Sequence, residues 1–587
     1  MMKTISIKGI IISFFFLIHF SFPAFSQTTQ KGNSSHRNLI FNENQLPGTT
    51  HWKLTNPATK LEIEGYASAT SVASGDTLQL LVNTYASQFS YEIYRMGWYQ
   101  SLGGRLISKA ITVDGMAQKI PKPDKTTGLI ECNWKHPLNL PIENNWLTGV
   151  YLVKLEEKSS LKQSYIIFVV RNDHVSSDIL FQLPVTTYQA YNYWGGKSLY
   201  NWGSGESLPW GSSEGTAAVK VSFDRPYALN TNTQVAHTVG SGEFFANFQP
   251  VSRGYPISSA GWNYNMLRWL EKEGYDVSYC TNIDTHRLPE ELKIHKLFLS
   301  NGHDEYWTKE MRDHITKIRD QGVNLAFFGA NNMYWQHRFE SNSTKTKLDR
   351  IMVCYKDKNS DPDKSIVSTV MFREEPISNP ESKLLGVQFF SEPVDGDIVI
   401  TNDAHQLFKG TNLKNGNLLK GLLGYEVDGV TANSPSNIEI LASSKALYNK
   451  PKIVKTRVKR AILSISILWF ILINILCLFI LYRLFKWFAY KKWLISKLVF
   501  SIIMLGALAV AIFSVNQYYD FNKKHYSHIT IYKAKSGAKV FSTGSIQWSW
   551  GLDDYGAPEL RTSRKNKNAE IITKNVLEMF GAKHKKK

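Results

Sequence analysis

Residues 297–307 read LFLSNGHDEYW, and the rest of the chain is interpreted outward from this stretch. Its first four residues, Leu-Phe-Leu-Ser, are typical of a buried strand. The strand ends at Gly302, and His303, Asp304 and Glu305 follow in succession. Ionisable side chains are rarely buried without a partner, so three of them at the end of a core strand indicate a function rather than packing.

Strands and helices alternate on both sides of this stretch. DILFQLP, YDVSYC, KLFLSNG and VNLAFFG are typical of strands, whereas NYNMLRWLEKEG and WTKEMRDHITKIRDQG have the apolar spacing of amphipathic helices. Such alternation predicts a parallel sheet with right-handed crossovers. Ligands bind beyond the carboxyl ends of the strands in such sheets. His303 to Glu305 leave one strand end, and Asn331 and Asn332 leave the next, so we expect both groups to face one crevice.

The chain from Leu61 to about Asp173 has a different pattern. Strand follows strand in TLQLLVNTY, FSYEIYRMGWY, GVYLVKLE and SYIIFVVR, and no helical stretch lies between them. Turn signals such as Ser74-Gly75-Asp76 separate the strands. This region is predicted to be an all-β sandwich of immunoglobulin-like character.

The N-terminus has the composition of an export signal. Lysines at positions 3 and 8 precede a continuous apolar run, which ends in Ala24-Phe25-Ser26. The pattern predicts a signal peptide at residues 1–26, with an uncleaved membrane anchor as the alternative. Both interpretations export the residues that follow.

The net charge of +19 belongs to the C-terminal part of the chain. Residues 450–587 contain 25 Lys and Arg against 6 Asp and Glu, whereas residues 1–449 contain 43 basic and 43 acidic residues. Two apolar runs in the same part, residues 461–482 and 496–516, predict a transmembrane hairpin, and a buried core hairpin is the alternative. Anionic lipid headgroups therefore explain the charge better than nucleic acid does.

The orientation of the predicted hairpin stays open. The basic connector between its two runs suits the cytoplasmic side, but the basic cluster at residues 450–460 would then lie outside, against the positive-inside rule. The strands NIEILAS and HITIYKA flank the hairpin and are expected to be neighbours in one sheet. Two spans return the chain to its starting side, so these strands can complete one domain in either orientation.

The four cysteines are scattered along the chain, at positions 132, 280, 354 and 477. They form no disulfide framework and show no zinc-ligand spacing, although one disulfide pair stays open. Catalysis by a cysteine nucleophile would need a cysteine at the strand end where the chain has Gly-His-Asp-Glu. Cys280 ends a different strand and is expected to be buried.

Several segments resemble, in order, the family of N,N-dimethylformamidase large (beta) subunits. They are GYASATSVASGDTLQL, TTYQAYNYWGGKSLY, VSFDRPY, GWNYNMLRWLEKEGYDVSY, SNGHDEYWTKEMRD, NLAFFGANNMYWQ and STGSIQWSWGLD. The resemblance covers about residues 60–445 and 528–556. It implies an α/β domain of the class I glutamine amidotransferase-like (flavodoxin-like) fold and activity toward an amide C–N bond.

The resemblance also implies a mononuclear iron bound by two tyrosines and one glutamate. Carried over motif by motif, the glutamate is Glu305 of His-Asp-Glu, and one tyrosine is Tyr227 of Phe-Asp-Arg-Pro-Tyr. The other tyrosine is Tyr191 of Gln-Ala-Tyr-Asn, with Tyr188 as the alternative. Further catalytic residues that the resemblance implies are His303, Asn331 and Glu426.

The chemistry of these donors is consistent with iron. A tyrosine phenol has a pKa near 10, and a bound cation removes its proton as it does for a coordinating thiol. Hard oxygen donors favour ferric iron over zinc. Three protein ligands leave a position for water or a carbonyl oxygen, so the metal can polarise an amide carbonyl or activate water. His303 lies two residues from Glu305 on an extended segment and would act on the same side as general base or by orienting the water.

The predicted fold class is a multidomain β and α/β chain. Its predicted parts are the signal peptide 1–26, a flexible lead-in 27–58, the β-sandwich 59–174, the α/β catalytic domain 175–449 and 526–560, the basic flank and transmembrane hairpin 450–525, and a basic tail 561–587. Within the catalytic domain, Arg225 is a candidate for pairing with an acid.

The sequence therefore predicts a membrane-tethered, exported, iron-dependent hydrolase of an amide C–N bond, with its catalytic domain on the periplasmic or extracellular face. The rival hypothesis is a non-catalytic cell-surface protein that binds glycans, with Trp194, Trp548 and Trp550 stacking on sugars. The expected partners are a small-molecule amide and membrane lipids, without nucleic acid. The identity of the amide, homo-oligomer formation and a separate small subunit stay open.

Overall fold

The computed structural model describes residues 38–205, 215–249, 259–446 and 526–585, together with the single residues 483 and 486. These ranges belong to one unit that begins at Asn38. Its α-helices are α1 Leu39–Glu43, α2 Val185–Tyr191, α3 Asn263–Lys272, α4 Asn282–Arg287, α5 Pro289–Leu292, α6 Lys309–Asp320, α7 Ser382–Leu385 and α8 Lys567–Met579. Short 3-10 helices lie at Tyr99–Ser101, Trp194–Gly196, Asn201–Gly203, Thr233–Thr238, Gln406–Phe408 and Trp548–Gly551.

The described strands form six sheets. Those of the N-terminal part are β1 Ile63–Ala67, β2 Ser71–Ala73, β3 Thr77–Thr84, β4 Gln88–Met96, β5 Gly104–Asp114, β6 Leu138–Pro141, β7 Gly149–Glu157 and β8 Gln163–Arg171. The next are β9 Ile179–Leu183, β10 Lys220–Ser222, β11 Val277–Thr281, β12 Leu297–Gly302, β13 Tyr306–Trp307, β14 Asn324–Gly329, β15 Trp335–Gln336, β16 Arg338–Glu340 and β17 Ile351–Val353. The last are β18 Gln388–Val399, β19 Leu418–Gly429, β20 Glu439–Lys445, β21 Tyr526–Lys533 and β22 Lys539–Ser542.

A two-sheet sandwich occupies the N-terminal part. The larger sheet has the strand order β2-β8-β7-β4-β5, and the smaller one has the order β1-β3-β6. Strands β4, β7 and β8 pair antiparallel, and β2 joins β8 in parallel. Apolar side chains from both sheets fill the space between them, among them Leu80, Ile93, Tyr151 and Phe168. The structure thus retains the sandwich of the predicted fold class.

A seven-stranded sheet forms the centre of the following part. Its order is β11-β9-β12-β14-β22-β21-β20. The first five strands pair in parallel, and β21 and β20 run antiparallel to their neighbours. Strand β12, with the sequence LFLSNG, therefore lies between β9 and β14. The segments that follow these three strands leave the same edge of the sheet.

The predicted fold class needs correction in the architecture of the sheets. The protein is mixed β and α/β. It contains further small sheets beside the predicted sandwich and the sheet of the predicted flavodoxin-like domain. Strands β21 and β22 form a hairpin with a short connection, which forces them to run antiparallel within the otherwise parallel sheet. Strand β19 carries GYEVDG and pairs with β18 in a separate two-stranded sheet.

The transmembrane hairpin of the predicted fold class is not supported either. No helix in the described ranges is long and apolar enough to cross a membrane. The longest of them, Lys567–Met579, has 13 residues, whereas a bilayer requires ~20. The predicted spans, residues 461–482 and 496–516, lie outside the described ranges, as does the predicted signal peptide, residues 1–26.

Both predicted end segments contain ordered structure where they are described. Helix α1 lies in the predicted lead-in, and Trp52 in the same segment is 2% exposed. Helix α8 lies in the predicted basic tail and buries Ile572, Val576 and Leu577. Apolar residues of both segments belong to the main hydrophobic core, among them Trp52 and Val576.

The strands on either side of residues 447–525 are neighbours, as expected. Strands β20 and β21 pair antiparallel, with Lys445 opposite Tyr526 at the end of the ladder. The chain therefore leaves β20 and returns to β21 at adjacent points of the sheet.

Candidate active site

Two glycines shape the end of the central strand β12. Gly302 has a φ of +69°, and a Cβ atom there would lie 2.7 Å from the Cβ atom of Trp262. At the same level of β14, a Cβ atom on Gly329 would lie 2.2 Å from the carbonyl oxygen of Gly302. Only glycine fits such positions. The chain therefore turns out of the sheet at Gly302 and places the next three residues beyond the strand end.

Asp304 points into the protein and anchors this segment. Its side chain is fully buried. It accepts hydrogen bonds from Gln182 Nε2 (2.7 Å), Ser300 Oγ (2.8 Å), Trp307 Nε1 (2.9 Å) and Asn282 Nδ2 (3.0 Å). Burial raises the pKa of the carboxyl group, although these four donors oppose the shift. All of its bonding capacity is used for structure.

Glu305 lies at the centre of the candidate site and is 3% exposed. Its backbone N–H donates to Thr187 Oγ1 at 2.9 Å, on the helix that follows β9. Tyr191, at the end of that helix, donates its hydroxyl to Glu305 Oε2 at 2.9 Å. The hydroxyl of Tyr200 lies 3.1 Å from Oε1 and 2.9 Å from Oε2. Burial opposes ionisation, but the nearby His303 outweighs it and lowers the pKa of Glu305.

Tyr200 has further partners of its own. The hydroxyl of Tyr306 donates to that of Tyr200 at 2.6 Å. The ammonium group of Lys356 lies 3.4 Å from the centroid of the Tyr200 ring and donates to the carbonyl oxygen of Leu199 at 2.9 Å. Burial lowers the pKa of Lys356 to about 8. Tyr200 is therefore held at its oxygen, by Tyr306, and at its ring face, by Lys356.

His303 stands between two carboxylates and is 1% exposed. Its Nε2 atom lies 3.3 Å from Glu305 Oε2 and 3.4 Å from Glu426 Oε2. Burial opposes protonation, but the charges of Glu426 and Glu305 raise the pKa of His303 to about 10. Within the described part of the chain, neither ring nitrogen has a hydrogen-bond partner of good geometry. The imidazole is therefore free to exchange a proton with a bound molecule.

Glu426 reaches the site from β19 and is also buried. Its Oε1 atom accepts a hydrogen bond from Gln249 Nε2 at 3.2 Å, and the nearby side chain of Asn331 favours its ionised form. Burial opposes ionisation of Glu426, whereas the nearby charge of His303 favours it. Asn331 follows β14 with a φ of +56°, and its backbone N–H donates to Asp428 Oδ1 at 2.8 Å. The predicted catalytic residues His303, Asn331 and Glu426 thus lie together beside Glu305.

Tyr227, the remaining predicted ligand, lies in different surroundings. Its ring meets the buried ring of Tyr188 edge to face, with the centroids 6.3 Å apart. It borders a cavity of about 30 Å³ whose other lining residues include Tyr66, Arg225 and Arg350. In the described residues, no hydrogen bond joins the Tyr227 hydroxyl to Glu305. The structure therefore brings Tyr191 to Glu305 and leaves Tyr227 and Tyr188 packed against each other.

The sequence predicted that Arg225 pairs with an acid, but within the described ranges its guanidinium forms no ion pair. Its guanidinium donates to three backbone carbonyl oxygens, those of Asn192, Trp194 and Lys197. These carbonyls belong to the irregular segment after α2, whose backbone has no strand or long helix to satisfy it. Arg225 therefore supports the segment that carries Tyr191 toward Tyr200.

The tryptophans proposed for glycan stacking are buried. Trp194, Trp548 and Trp550 are at most 2% exposed. Trp194 donates its indole N–H to Glu64 at 2.6 Å, and Trp550 donates to the carbonyl oxygen of Gly261 at 2.8 Å. These rings cannot stack on a sugar, so the glycan-binding hypothesis loses the observation on which it rested. Cys280 is buried as expected, and burial raises the pKa of its thiol well above the usual value.

Oxygen donors dominate the site, which bears on the iron that the family resemblance implies. Among the described residues, no group of three or more His, Cys, Asp and Glu side chains is arranged to hold a metal ion. Tyrosine adds the missing donors, because two phenol oxygens lie within hydrogen-bond distance of the Glu305 carboxylate. Carboxylate and phenolate are hard ligands that suit ferric iron better than zinc. The residues present therefore fit the implied ion.

Four side chains of the site were not singled out from the sequence: Tyr200, Gln249, Tyr306 and Lys356. Tyr200 ends the segment TTYQAYNYWGGKSLY, which carries the family resemblance, and Tyr306 directly follows Glu305. Their positions inside motifs of the resemblance were the signal that could have identified them. Gln249 and Lys356 lie in segments without regular secondary structure, where no periodicity marks a buried residue.

A known family model matches most of the chain. The family model described as "N,N-dimethylformamidase beta subunit-like, C-terminal" matches residues 90–564. The match includes the seven-stranded sheet and every residue of the candidate site. No curated protein matches the chain.

Proposed function

This chain belongs to the N,N-dimethylformamidase beta subunit-like family, and on that premise we propose that it hydrolyses an amide C–N bond at Glu305. One observation carries the proposal. Buried Glu305 receives the hydroxyls of Tyr191 and Tyr200 while His303 stands between it and Glu426. Oxygen donors beside two titratable side chains, His303 and Glu426, are the groups that a metal-assisted hydrolase requires.

The proposed cofactor is a mononuclear ferric iron. Glu305 and Tyr191 would bind it, and a second tyrosine would complete the oxygen set. When bound, the ion would act as a Lewis acid toward the amide carbonyl oxygen and the attacking water. Glu305 and Tyr191 are more than nine-tenths buried, so a charge held between them is weakly screened by solvent.

His303 and Glu426 would handle the proton. Hydrolysis needs one proton to leave the attacking water and one to reach the departing nitrogen. Glu426 takes up the first, and His303 delivers the second when the C–N bond breaks. The 3.4 Å contact between them then returns the proton from Glu426 to His303. The products are a carboxylic acid and an amine, and both residues return to their starting states.

Gln249 and Asn331 would keep this pair in position. Gln249 holds one carboxylate oxygen of Glu426, which leaves the other oxygen facing His303. Asn331 is fixed through its backbone by Asp428. Its side-chain oxygen is buried and has no hydrogen-bond partner in the described residues, so it is free to accept an N–H group of an amide substrate. Export by the predicted signal peptide is part of this proposal, whereas membrane tethering is not.

The proposal is tested on purified protein loaded with iron and offered a panel of small amides. We expect about one iron per chain and release of an amine from at least one amide. His303→Ala should retain the iron and lose about 100-fold or more in kcat, because the proton to the leaving nitrogen is lost. Glu305→Gln should lose the iron itself.

The matched control is His174→Ala, because His174 is exposed and lies outside the site. It should have the iron content and the kcat of the original protein. Unchanged turnover in the His303 variant would remove His303 from the mechanism. Full iron retention in the Glu305 variant would overturn the assignment of the metal site.

A further inference from the structure

The β-sandwich has a groove on the side where both of its sheets end. Strand β5 is the last strand of the larger sheet, and β6 is the last strand of the smaller one. The groove between them has a volume of about 430 Å³, which is within the range of pockets that hold small ligands. We propose that this groove, the sandwich groove, binds a neutral carbohydrate. The proposal does not depend on the proposed function, because no residue of the candidate active site lines the sandwich groove.

The first argument is a fixed aromatic ring in the sandwich groove. The indole of Trp146 stacks on the ring of Tyr151, with the centroids 5.3 Å apart and the ring planes 8° from parallel. Tyr151 is buried and stacks in turn on Phe168, with the centroids 5.5 Å apart. One face of the indole is therefore held in place, and only its other face can receive a ligand. Unlike the three buried tryptophans described above, Trp146 is only half-buried, so a sugar ring can pack its C–H face against the indole.

The second argument is the hydroxyl group of Tyr91. Tyr91 lines the sandwich groove and is only 7% exposed. Within the described part of the chain, its hydroxyl forms no hydrogen bond, whereas a buried tyrosine hydroxyl usually has a partner. Tyr94 on the same strand donates to Glu92 at 2.6 Å, and Tyr151 donates to the carbonyl oxygen of Leu147 at 2.7 Å. The partner of the Tyr91 hydroxyl is therefore a molecule in the groove, either water or a ligand hydroxyl that replaces it.

The third argument is the set of side chains at the rim. Glu143 and Asn145 are exposed, and neither side chain forms a hydrogen bond within the described residues. The indole N–H of Trp146 has no acceptor among these residues either. A carboxylate accepts, an indole N–H donates and an amide does both, so together they match sugar hydroxyls, which donate and accept. Arg105 and Glu143 are the charged residues that line the groove, and their opposite signs favour a neutral ligand over an ion.

A peptide strand is the other candidate occupant. Both β5 and β6 are edge strands, and an edge strand can pair with another chain. Such pairing uses backbone groups and would leave the Tyr91 hydroxyl and the free face of the Trp146 indole without a role. A carbohydrate uses both, so it accounts for more of the observed features.

The test measures how the purified protein binds neutral trisaccharides, namely maltotriose, cellotriose, xylotriose and N-acetylchitotriose. Isothermal titration calorimetry should give a Kd below about 1 mM for at least one of them. Tyr91→Phe should weaken that binding about fivefold, because the hydrogen bond to the ligand is lost. Its free energy of unfolding should not fall, because the hydroxyl has no partner in the described protein. Trp146→Ala should weaken binding about tenfold or more, because the stacking face and the N–H donor are both lost.

The matched control is Tyr85→Phe, because Tyr85 is 81% exposed and does not line the sandwich groove. It should bind the trisaccharide with the affinity of the original protein. Should Trp146→Ala fail to fold, Asn145→Ala at an exposed position gives a second measurement and should also weaken binding. The proposal would be overturned if no trisaccharide bound at up to about 10 mM, or if Tyr91→Phe bound as tightly as the original protein. Binding of a strand-forming peptide in place of the trisaccharides would overturn it as well.

Discussion

Successive side chains on an extended segment point to opposite faces, and the segment after β12 uses this alternation. His303 and Glu305 face the candidate site, whereas Asp304 between them points inward. A carboxylate with four donors is costly to disturb, because every donor would lose its acceptor. Asp304 has no role in the chemistry, but it keeps its neighbours His303 and Glu305 in place.

Asp304→Asn tests this anchoring role. The new amide group would turn a donor toward at least one of the four donors that now bond the carboxylate. We expect a loss of ~2–4 kcal/mol in the free energy of unfolding, as for other broken buried networks. Urea unfolding followed by tryptophan fluorescence measures it.

Asp313→Asn is the matched control, since the Asp313 side chain is 54% exposed. Its free energy of unfolding should stay within ~0.5 kcal/mol of that of the original protein. An Asp304 variant as stable as this control would show that the four hydrogen bonds contribute little.

At the scale of single residues, the sequence predicted His303, Glu305 and Tyr191 because they follow strand ends or lie in recognisable motifs. Tyr200 escaped prediction for a physical reason. It lies 105 positions before Glu305, in an irregular segment, and only the folded chain brings the two within hydrogen-bond distance. The ligand role of Tyr227 stays a prediction.

At the scale of secondary structure, the pairing of β20 with β21 separates the sheet from the long connection between them. Lys445 and Tyr526 are opposite each other in the ladder, so the two chain ends at this point are already close. The free energy cost of closing a loop grows only with the logarithm of its length. The sheet therefore does not depend on how long the connection is.

Replacement of residues 447–525 by a short Gly/Ser linker tests this independence. Because the ladder partners stay adjacent, we expect the shortened protein to fold with its iron content and thermal unfolding midpoint unchanged within a few degrees. Metal analysis and circular dichroism on heating measure both quantities. Loss of iron in the shortened chain, with retention in the full chain, would show that the connection supports the site.

The elements themselves were largely predictable, whereas their partners were not. Helices α3 and α6 and strands β9, β11, β12 and β14 appear where the apolar periodicity indicated them. Periodicity reports how one segment is buried and says nothing about which strand lies beside it. The separate β18–β19 sheet and the antiparallel end of the large sheet were missed for this reason. Spans 461–482 and 496–516 were predicted from composition alone, and no described helix supports them.

At the scale of the whole molecule, a buried ion pair joins the sandwich to the seven-stranded part. Arg95 of β4 donates to both carboxylate oxygens of Glu271 on α3, at 2.8 and 3.0 Å. Neither side chain is exposed. Asn44 and Tyr279 also donate to Glu271, so segments from three parts of the chain meet at one carboxylate.

Glu271→Gln should weaken this junction. The substitution leaves the Arg95 charge buried without its partner, and such changes cost ~3–5 kcal/mol. The thermal unfolding midpoint should fall, whereas Glu290→Gln, whose side chain is 61% exposed, should leave it unchanged. Differential scanning calorimetry compares the two variants. Equal midpoints would mean that the sandwich and the sheet do not depend on this ion pair.

The place of β22 has a consequence for how the protein is made. This strand comes from residues 539–542 yet lies inside the large sheet, between β14 and β21. While the ribosome is still synthesising the chain, β14 has no neighbour on that side, and an unpaired strand edge is a template for association with other chains. The sheet can close only after residues 539–542 have emerged, about 200 residues after β14, so a nascent chain keeps this edge open during that synthesis. A prematurely terminated copy would keep that edge and be prone to aggregate.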